Sequence, residues 1–470
     1  MRILHTSFEC YPLAKVGGLG DVVGSLPKYL NGLGCETYVI IPFYDTEKIN
    51  QLECETIYSG SLNLGTNTFD FSIKKEKSNV FGFQVFFVDI NKLLFRPGIY
   101  EYPDDTERFI SFQLAVMDWI VSSETKPDII HCHDHHTGLI PFFVSQVEKY
   151  QSICEIPTIL TIHNAQYQGE FSYDRLRYIP PFNFNNVGLL DWYESINPLA
   201  AAIKCAWSVT TVSPSYMVEL QEKANGLEGL LSHENKKCTG ILNGIDHDTW
   251  NPETDPMIIE NYTDDNLVSE RKPNKEWLCK EFNLNPEKPL FAFIGRLVYE
   301  KGADILPDAI YQTLVNTDDI SILILGSGNK EVERRLQELK ELFSGNYNTY
   351  IGYDEKLSHI IYAGADFLLM PSRVEPCGLN QMYALRYGLI PIVRSIGGLK
   401  DTVVDIGDGG FGICHKHADV HDICYSINRG IELYKDQESY SELQKRIVKI
   451  DNSWNNSAKQ YIKLYKSLKQ

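Results

Sequence analysis

The stretch Phe367-Leu-Leu-Met-Pro-Ser-Arg-Val-Glu-Pro-Cys-Gly-Leu-Asn380 holds one strand, one loop and the start of one helix. Its apolar residues predict a short buried strand, and the loop after Met370 leads into a new helix. Glu375 lies in this loop, held by the proline that follows it, just ahead of the N–H groups of Gly378 and Leu379. A carboxylate so placed can bind sugar hydroxyls while the helix start accepts a phosphate. Taken alone, a loop glutamate is usually only solvated.

The same succession of buried strand, loop and helix recurs through both halves of the chain. In the first half it predicts strands at residues 2–6, 37–42, 83–88, 128–131, 158–162 and 209–212. In the second half it predicts strands at residues 290–294, 321–325, 367–370 and 390–393, with a charged helix over 330–343. The predicted fold class is therefore α/β, with parallel sheets covered by helices. Two such domains would place a ligand between them, at the carboxyl ends of the strands.

The length of 470 residues exceeds what one hydrophobic core supports, so we expect two domains. We place them at residues 1–245 and 289–454, around an inter-domain region, 246–288, that is rich in Pro, Asn, Asp and Glu. The last segment, 455–470, has the apolar stripe of an amphipathic helix.

Composition narrows the classes of function. A formal net charge of −18 disfavours nucleic acid and anionic membranes as partners, and no apolar run is long enough to span a membrane. Eleven cysteines without CxxC spacing argue against a disulfide framework and favour a reducing, cytoplasmic location. In so acidic a protein, an anionic ligand needs a local cluster of basic groups.

Two glycine-containing loops offer such clusters. In Lys15-Val-Gly-Gly-Leu-Gly-Asp21 the glycines allow close approach of a phosphate, and Lys15 adds a positive charge. The glycine spacing is not that of a dinucleotide fingerprint, so a tight turn with a solvated lysine is an equal alternative. In Phe293-Ile-Gly-Arg-Leu-Val-Tyr-Glu-Lys-Gly302, Arg296 and Lys301 could converge on one pyrophosphate. The alternative there is a pair of surface cations.

Five strings in this order resemble the glycogen and starch synthases: KVGGLGDV at 15–22, TIHNAQYQG at 161–169, LNGID at 242–246, GRLVYEKG at 295–302 and PSRVEPCGLNQ at 371–381. The resemblance implies a GT-B fold, in which two Rossmann-like domains face each other across a deep cleft. It also implies that the helix at 455–470 crosses back to the N-terminal domain. Many members have Thr where Val16 stands, which puts fine acceptor preference in doubt.

The resemblance also implies roles for individual residues. The catalytic set is His163, Glu375, Arg296 and Lys301. The nucleotide-sugar-binding set is Lys15, Gly18, Asp21, Asn164, Asn243, Tyr353, Cys377, Gly378 and Leu379. The acceptor-side set is Glu9, His133 and Asp134.

Two other patterns could indicate a metal. Alternation on a strand would put His131, His133 and His135 on one face, and Asp246 with Asp248 matches a DxD motif. The histidines fall where the family has residues lining its cleft, and the aspartates fall in the LNGID region. We therefore expect no metal and no other cofactor.

The implied activity is transfer of glucose from the co-substrate ADP-glucose to the non-reducing end of an α-1,4-glucan, with retention and release of ADP. Three alternatives stay open: the same reaction with UDP-glucose, a related transferase with a small acceptor, and a non-catalytic glucan-binding protein of this fold. The intact set of predicted catalytic residues argues against the last. No carboxylate is an evident covalent nucleophile, so we favour front-face transfer. The sequence leaves the oligomeric state open.

Overall fold

The computed structural model describes residues 1–469 and groups them into two units. The first unit comprises Met1–Asn243 and the chain from Trp454 onward, and the second comprises Gly244–Ser453. The segment 246–288, which the sequence suggests as an inter-domain region, groups with the second unit.

A nine-stranded sheet forms the centre of the first unit, in the order β11-β10-β7-β6-β1-β2-β5-β4-β3. A two-stranded sheet, β8-β9, lies apart from it. The strands are β1 (Arg2–Thr6), β2 (Glu36–Pro42), β3 (Cys54–Leu64), β4 (Asn67–Glu76), β5 (Gln84–Asp89), β6 (Ile129–His133), β7 (Thr158–Ile162), β8 (Asp191–Trp192), β9 (Ser195–Ile196), β10 (Ser208–Thr211) and β11 (Cys238–Gly240). The seven strands from β11 to β5 pair in parallel, and β4 and β3 extend the sheet as an antiparallel hairpin.

The six strands predicted in the first half are all present, within about two residues at each end. The hairpin of β3 and β4 was not predicted, because most of its residues are not buried and its sequence has no continuous apolar run. The helices of this unit are α1 (Gly18–Gly32), α2 (Glu47–Asn50), α3 (Asp105–Ser122), α4 (Ile140–Gln146), α5 (Pro198–Cys205), α6 (Pro214–Glu222) and α7 (Glu228–His233).

The second unit is built on a six-stranded parallel sheet in the order β14-β13-β12-β15-β16-β17. This is the strand order of a doubly wound nucleotide-binding fold. The strands are β12 (Leu290–Ile294), β13 (Ser321–Gly326), β14 (Tyr347–Ile351), β15 (Phe367–Met370), β16 (Ile390–Arg394) and β17 (Ile413–His415). The helices are α8 (Leu267–Glu270), α9 (Lys272–Glu281), α10 (Leu306–Asn316), α11 (Lys330–Leu342), α12 (Glu355–Gly364), α13 (Asn380–Arg386), α14 (Gly397–Thr402), α15 (Val420–Lys435) and α16 (Gln437–Ile447).

The last helix, α17 (Trp454–Ser467), belongs to the first unit. Its buried face carries Trp454, Ala458, Tyr461 and Tyr465, which share a core cluster with β1, α1 and β6. The predicted segment 455–470 ends at Gln470, which lies outside the described residues. Within residues 1–469, no helix is both long enough and apolar enough to cross a membrane.

We predict that Trp454→Ala lowers the free energy of unfolding of the first unit by about 3–5 kcal/mol, because it leaves a large cavity in this cluster. Urea unfolding monitored by circular dichroism measures the loss. Lys463→Ala, at an exposed position of the same helix, is the control and should change stability by less than about 0.5 kcal/mol. Equal effects of the two substitutions would show that α17 is not part of this core.

Candidate functional site

Each parallel sheet has a switch point where its strand order reverses, between β1 and β6 in the first unit and between β12 and β15 in the second. Loops that leave the carboxyl ends of strands at such a point diverge and leave room for a ligand. Most predicted site residues follow these strands: Glu9, Lys15, Gly18 and Asp21 after β1, His133 and Asp134 at the end of β6, Arg296 and Lys301 after β12, and Glu375, Cys377, Gly378 and Leu379 after β15. The others follow neighbouring strands: His163 and Asn164 after β7, Asn243 after β11 and Tyr353 after β14.

The buried carboxylate of Glu9 organises the loop after β1. Its Oε2 accepts hydrogen bonds from the backbone N–H groups of Val16 (2.6 Å) and Gly17 (2.9 Å). Its Oε1 accepts one from the hydroxyl of Tyr100 (2.8 Å). Burial raises the pKa of Glu9, and these hydrogen bonds oppose the rise. Although the resemblance suggests the acceptor side for Glu9, both of its oxygens here serve the protein itself.

This loop presents cationic and N–H donors at the start of α1. The ammonium of Lys15 lies 2.7 Å from Oδ1 of Asp21, and the Lys15 side chain is partly exposed. The helix begins at Gly18 without a side-chain cap, and the Gly18 N–H donates to no group within residues 1–469. An uncapped helix start beside a lysine is suited to an anion.

Three buried histidines form a hydrogen-bonded column that runs from β1 through β6 to the end of β7. Nδ1 of His5 lies 3.1 Å from Nε2 of His133, and Nδ1 of His133 lies 2.9 Å from Nε2 of His163. Burial lowers the pKa of His5 and of His163 to about 3, and that of His133 well below its ordinary value. All three rings are therefore neutral at pH 7.

The histidine alternation expected on β6 is only partly realised. His131 and His133 stack on one face with ring centroids 4.4 Å apart. The strand ends at His133, however, and Asp134 takes a φ of 55°. His135 consequently begins a 3-10 helix and leaves the face, while His5, paired with His131 in the sheet register, contributes the third ring.

The carboxylate of Asp134 fixes the backbone at the end of β7. It accepts hydrogen bonds from the N–H groups of His163 (2.7 Å) and Asn164. The positive φ of Asp134 is strained for a residue other than glycine, and such a conformation persists only where the surrounding structure holds it. Burial raises the pKa of Asp134 to about 7, and the two N–H donors oppose this rise. The Asp134 carboxylate thus fixes the backbone from which the His163 side chain extends.

Asn243 carries a buried polar atom without a partner. It is 5% exposed, and its Oδ1 accepts no hydrogen bond within residues 1–469. An unsatisfied buried acceptor costs about 1–3 kcal/mol and marks a place where a polar ligand can bind. Asn164 differs, because its Oδ1 accepts from the N–H of Gln166 (3.0 Å) and closes a turn.

In the second unit, a bidentate ion pair joins the loop after β12 to the loop after β15. The Lys301 ammonium lies 2.7 Å from Oε1 and 2.6 Å from Oε2 of Glu375. The Ser372 hydroxyl donates to Oε2 at 2.9 Å. The Glu375 side chain is 6% exposed and that of Lys301 27%, so the carboxylate is buried while the ammonium reaches solvent.

The two loops that carry this ion pair also contain donors that have no partner within residues 1–469. Arg296 is exposed and makes no hydrogen bond or ion pair within the described chain. Across residues 1–469, the backbone N–H groups of Gly378 and Leu379 likewise donate to nothing. A planar cation, an ammonium and free N–H groups are the donors that an oxyanion requires.

The backbone of Cys377 packs closely against Gly398 in α14. A Cβ built on Gly398 would overlap the Cys377 backbone, so glycine is required where α14 meets this loop. The Gly398 N–H donates to the Glu375 carbonyl oxygen at 3.1 Å, which fixes the loop further. The Cys377 side chain is 5% exposed.

Tyr353 lies between the end of β14 and the start of α12, and it is 81% exposed. Asp354 caps α12 by accepting from the N–H of Leu357 at 2.9 Å. A flat ring that projects from a capped helix start can stack on a planar ligand.

The two sequence patterns that could indicate a metal lie in different parts of the first and second units. Nitrogen atoms of His5, His131 and His133 lie within 4.8 Å of one another. Both nitrogens of His131 already bond hydroxyl groups, those of Tyr465 (2.8 Å) and Thr161 (2.6 Å). In the DxD motif, Oδ1 of Asp246 accepts from the backbone N–H of Asp248 at 3.0 Å, which is a local turn.

A cavity of about 610 Å³ in the first unit lies elsewhere. It is lined near the amino ends of β1, β2 and β5 by Arg2, Glu36, Gln84 and Trp119 among others. None of the predicted site residues lines it.

Three residues at the site were not predicted: His5, Tyr100 and Ser372. Each forms a hydrogen bond with a predicted residue: His5 with His133, Tyr100 with Glu9 and Ser372 with Glu375. Ser372 lies in the quoted PSRVEPCGLNQ string, so its position three residues before Glu375 was a usable signal. His5 and Tyr100 reach their partners only through strand order and loop packing, which leave no trace in the local sequence.

Comparisons with known protein families agree across both units. A family model described as the starch synthase catalytic domain matches residues 2–233, and one described as glycosyl transferases group 1 matches residues 274–448. The glycogen synthase of Flavobacterium johnsoniae is 53% identical over 468 residues, which cover 99% of this chain and 98% of that protein. The glycogen synthase of Lactobacillus acidophilus is 39% identical over 491 residues, covering 100% of both chains.

Solved structures give the same result. The catalytic domain of starch synthase IV from Arabidopsis thaliana, bound to ADP and acarbose, matches with a TM-score of 0.91 and 33% identity, covering 100% of this chain and 99% of that one. Sucrose-phosphate synthase from Thermosynechococcus elongatus matches with a TM-score of 0.63 and 17% identity, covering 99% of this chain and 98% of that one, which shows a shared fold alone.

We predict that acid destabilises the first unit steeply. Its six buried histidines have a lower pKa in the folded chain than the ordinary value of about 6.5 in the unfolded chain: His5, His131, His133, His135, His136 and His163. Unfolding therefore takes up protons below about pH 6.5, so stability is complete above that pH and is lost as pH falls toward 4. Urea unfolding at a series of pH values measures this slope.

The variant that tests the contribution of one histidine is His135→Gln, because the pKa of His135 falls to about 4 in the folded chain. It should reduce the number of protons taken up near pH 5 by about one. His421→Gln, at a largely exposed position, should leave the slope unchanged. Identical slopes for all three proteins would contradict the assignment of buried, neutral histidines.

Proposed function

This chain belongs to the glycogen and starch synthase family of GT-B glycosyltransferases, and we propose that the residues described above transfer glucose from ADP-glucose to an α-1,4-glucan. The observation that carries the proposal is the group of donors in the second unit, Arg296, Lys301 and the N–H groups of Gly378 and Leu379. A leaving diphosphate gains negative charge as its bond to glucose breaks. Fixed cations and N–H groups stabilise that charge without reorganising.

Glu375 has one acceptor position left for the sugar. A carboxylate has roughly four lone-pair positions. Lys301 takes two and Ser372 takes one, which leaves a position on Oε1. We propose that a glucose hydroxyl donates to this position, so that the ion pair binds the sugar with Glu375 and the diphosphate with Lys301.

In the first unit, the proposed contacts are polar and neutral. His163 would hydrogen-bond the transferred glucose at its 6-hydroxyl, and the unsatisfied Oδ1 of Asn243 would accept from the same sugar. Lys15 and the free N–H of Gly18 would contribute to the diphosphate and acceptor side, with Asp21 orienting the lysine. We propose that four further residues hold these groups in place through hydrogen bonds to the protein rather than to the sugar: Glu9, His133, Asp134 and Asn164.

The proposed mechanism is front-face transfer. As the glycosyl–phosphate bond breaks, the departing phosphate oxygen takes the proton of the incoming glucan hydroxyl, and that hydroxyl attacks from the same face. The configuration is therefore retained without a covalent intermediate. We propose that the reaction needs no metal, because the leaving group's charge is met by Arg296, Lys301 and N–H donors.

We propose adenine as the base of the donor, held by stacking on exposed Tyr353. Stacking alone does not distinguish adenine from uracil. The starch synthase IV structure, 33% identical to this chain, is bound to ADP, which supports ADP-glucose.

The test is nucleotide release from ADP-glucose and UDP-glucose, with glycogen as acceptor and EDTA present. We expect ADP release that depends on glycogen, far exceeds UDP release and persists in EDTA. Greater UDP release would overturn the donor assignment. Loss of activity in EDTA that Mg²⁺ or Mn²⁺ restores would overturn the metal-free mechanism. Glycogen binding without turnover of either donor would favour a binding protein.

We predict that Lys301→Ala and Glu375→Ala each lower kcat at least about a hundredfold, since each removes a charge fixed at the reacting bond. Steady-state kinetics with ADP-glucose and glycogen measures the loss. Lys330→Ala is the matched control, because Lys330 pairs with Glu333 on the exposed helix α11 of the same unit. Near-normal rates for Lys301→Ala or Glu375→Ala would mean that the site is misassigned.

A further inference from the structure

The column of His5, His133 and His163 can transmit the position of a proton. Each contact in it joins two ring nitrogens, Nδ1 of His5 to Nε2 of His133 and Nδ1 of His133 to Nε2 of His163. A hydrogen bond between two nitrogens needs one N–H and one bare lone pair. A neutral imidazole has one of each, so the tautomer of one ring dictates that of the next.

Only two arrangements satisfy both contacts with neutral rings. In the first, all three rings carry the proton on Nδ1: His5 donates to His133, His133 donates to His163, and the Nδ1–H of His163 points away from the column. In the second, all three carry it on Nε2: His163 donates to His133, His133 donates to His5, and the Nε2–H of His5 is left over. The strongly lowered pKa values of these rings exclude a standing imidazolium at neutral pH.

The buried end of the column selects between them. Nε2 of His5 has no hydrogen-bond partner within residues 1–469, and the ring is 0% exposed. The second arrangement would leave an N–H orphaned there, whereas the first leaves only a bare lone pair. Orphaned buried N–H groups are the rarer of the two, so the first arrangement is favoured.

The other end of the column is the ligand-facing one. His163 is 8% exposed while His5 and His133 are 0% exposed. Because His133 engages Nε2 of His163, Nδ1 is the nitrogen left for a ligand.

We infer that His5 and His133 are positioning residues that hold His163 in the Nδ1–H tautomer, so that His163 donates a hydrogen bond to a hydroxyl oxygen of the sugar. This inference deepens the proposed function and rests on it for the identity of the sugar. The hydroxyl that accepts from His163 keeps its own hydrogen free to donate to another group.

His131 provides an internal contrast. It is buried in the same stack, but its nitrogens bond the hydroxyls of Tyr465 and Thr161. A hydroxyl both donates and accepts, so it imposes no tautomer on the ring. His131→Gln therefore perturbs the packing against His5 and His133 without removing a hydrogen bond of the column.

The direct test is long-range ¹H–¹⁵N NMR of the full-length, ligand-free enzyme labelled with ¹⁵N-histidine, with signals assigned by single substitutions. We expect His163 to be protonated on Nδ1 in the wild type and in His131→Gln. In His5→Leu, which removes the donor to His133, we expect a mixture of tautomers. A wild-type His163 protonated on Nε2 would overturn the inference, as would a His163 signal unchanged by His5→Leu.

Kinetics adds a second readout. We expect His5→Leu to lower kcat about tenfold, and His5→Asn, whose amide N–H replaces Nδ1–H, to recover most of the rate. Equal losses in both variants would indicate a structural role and overturn the inference. The NMR result needs no substrate, so an inactive wild type with the expected tautomer would refute the proposed function and leave the column intact.

Discussion

The ion pair between Lys301 and Glu375 links the two loops that leave the switch point of the second unit. The loops can meet only because Gly302, with φ of 68°, has no Cβ to overlap the Pro371 carbonyl oxygen. A buried carboxylate is costly unless it is paired and hydrogen-bonded, and Lys301 and Ser372 meet both needs. The pairing places one cation permanently at the crevice. The exposed Arg296 is the cation that we propose for a second negative charge.

Whereas the candidate site of the second unit is built on charged side chains, that of the first unit is built on neutral ones. Its candidate site is lined by buried histidines that burial keeps neutral, together with a strained aspartate whose pKa burial raises to about 7. Neutral rings in a buried environment form directional hydrogen bonds and bring no charge to the site. In the proposed function, the second unit therefore supplies charge stabilisation and the first unit supplies neutral hydrogen-bonding groups for sugar hydroxyls.

Much of the fold could be predicted from the sequence, because buried parallel strands consist of continuous runs of apolar residues. All ten predicted strands are present, and the α/β fold class and GT-B architecture are confirmed. The hairpin of β3 and β4 was missed because exposed polar strands lack such runs. The motifs located Arg296, Lys301 and Glu375, but neither the bidentate pairing nor the partner-free N–H groups beside it follow from residue identity.

Which histidine rings lie together could not be predicted from the sequence. A strand alternation placed His135 beside His131 and His133, and the positive φ of Asp134 broke that alternation. The third ring came from β1, a strand more than a hundred residues away, because β1 pairs with β6. Pairing between strands so distant in the chain depends on the whole sheet, and no local pattern encodes it.

The central claim is that unpaired donors in the second unit hold the diphosphate of the donor. Isothermal titration of ADP and of AMP into the wild type and Arg296→Ala tests it most directly. We expect Arg296→Ala to weaken ADP binding at least about tenfold and AMP binding much less, because the second phosphate loses its planar cation. Equal affinity of both proteins for ADP would contradict the account.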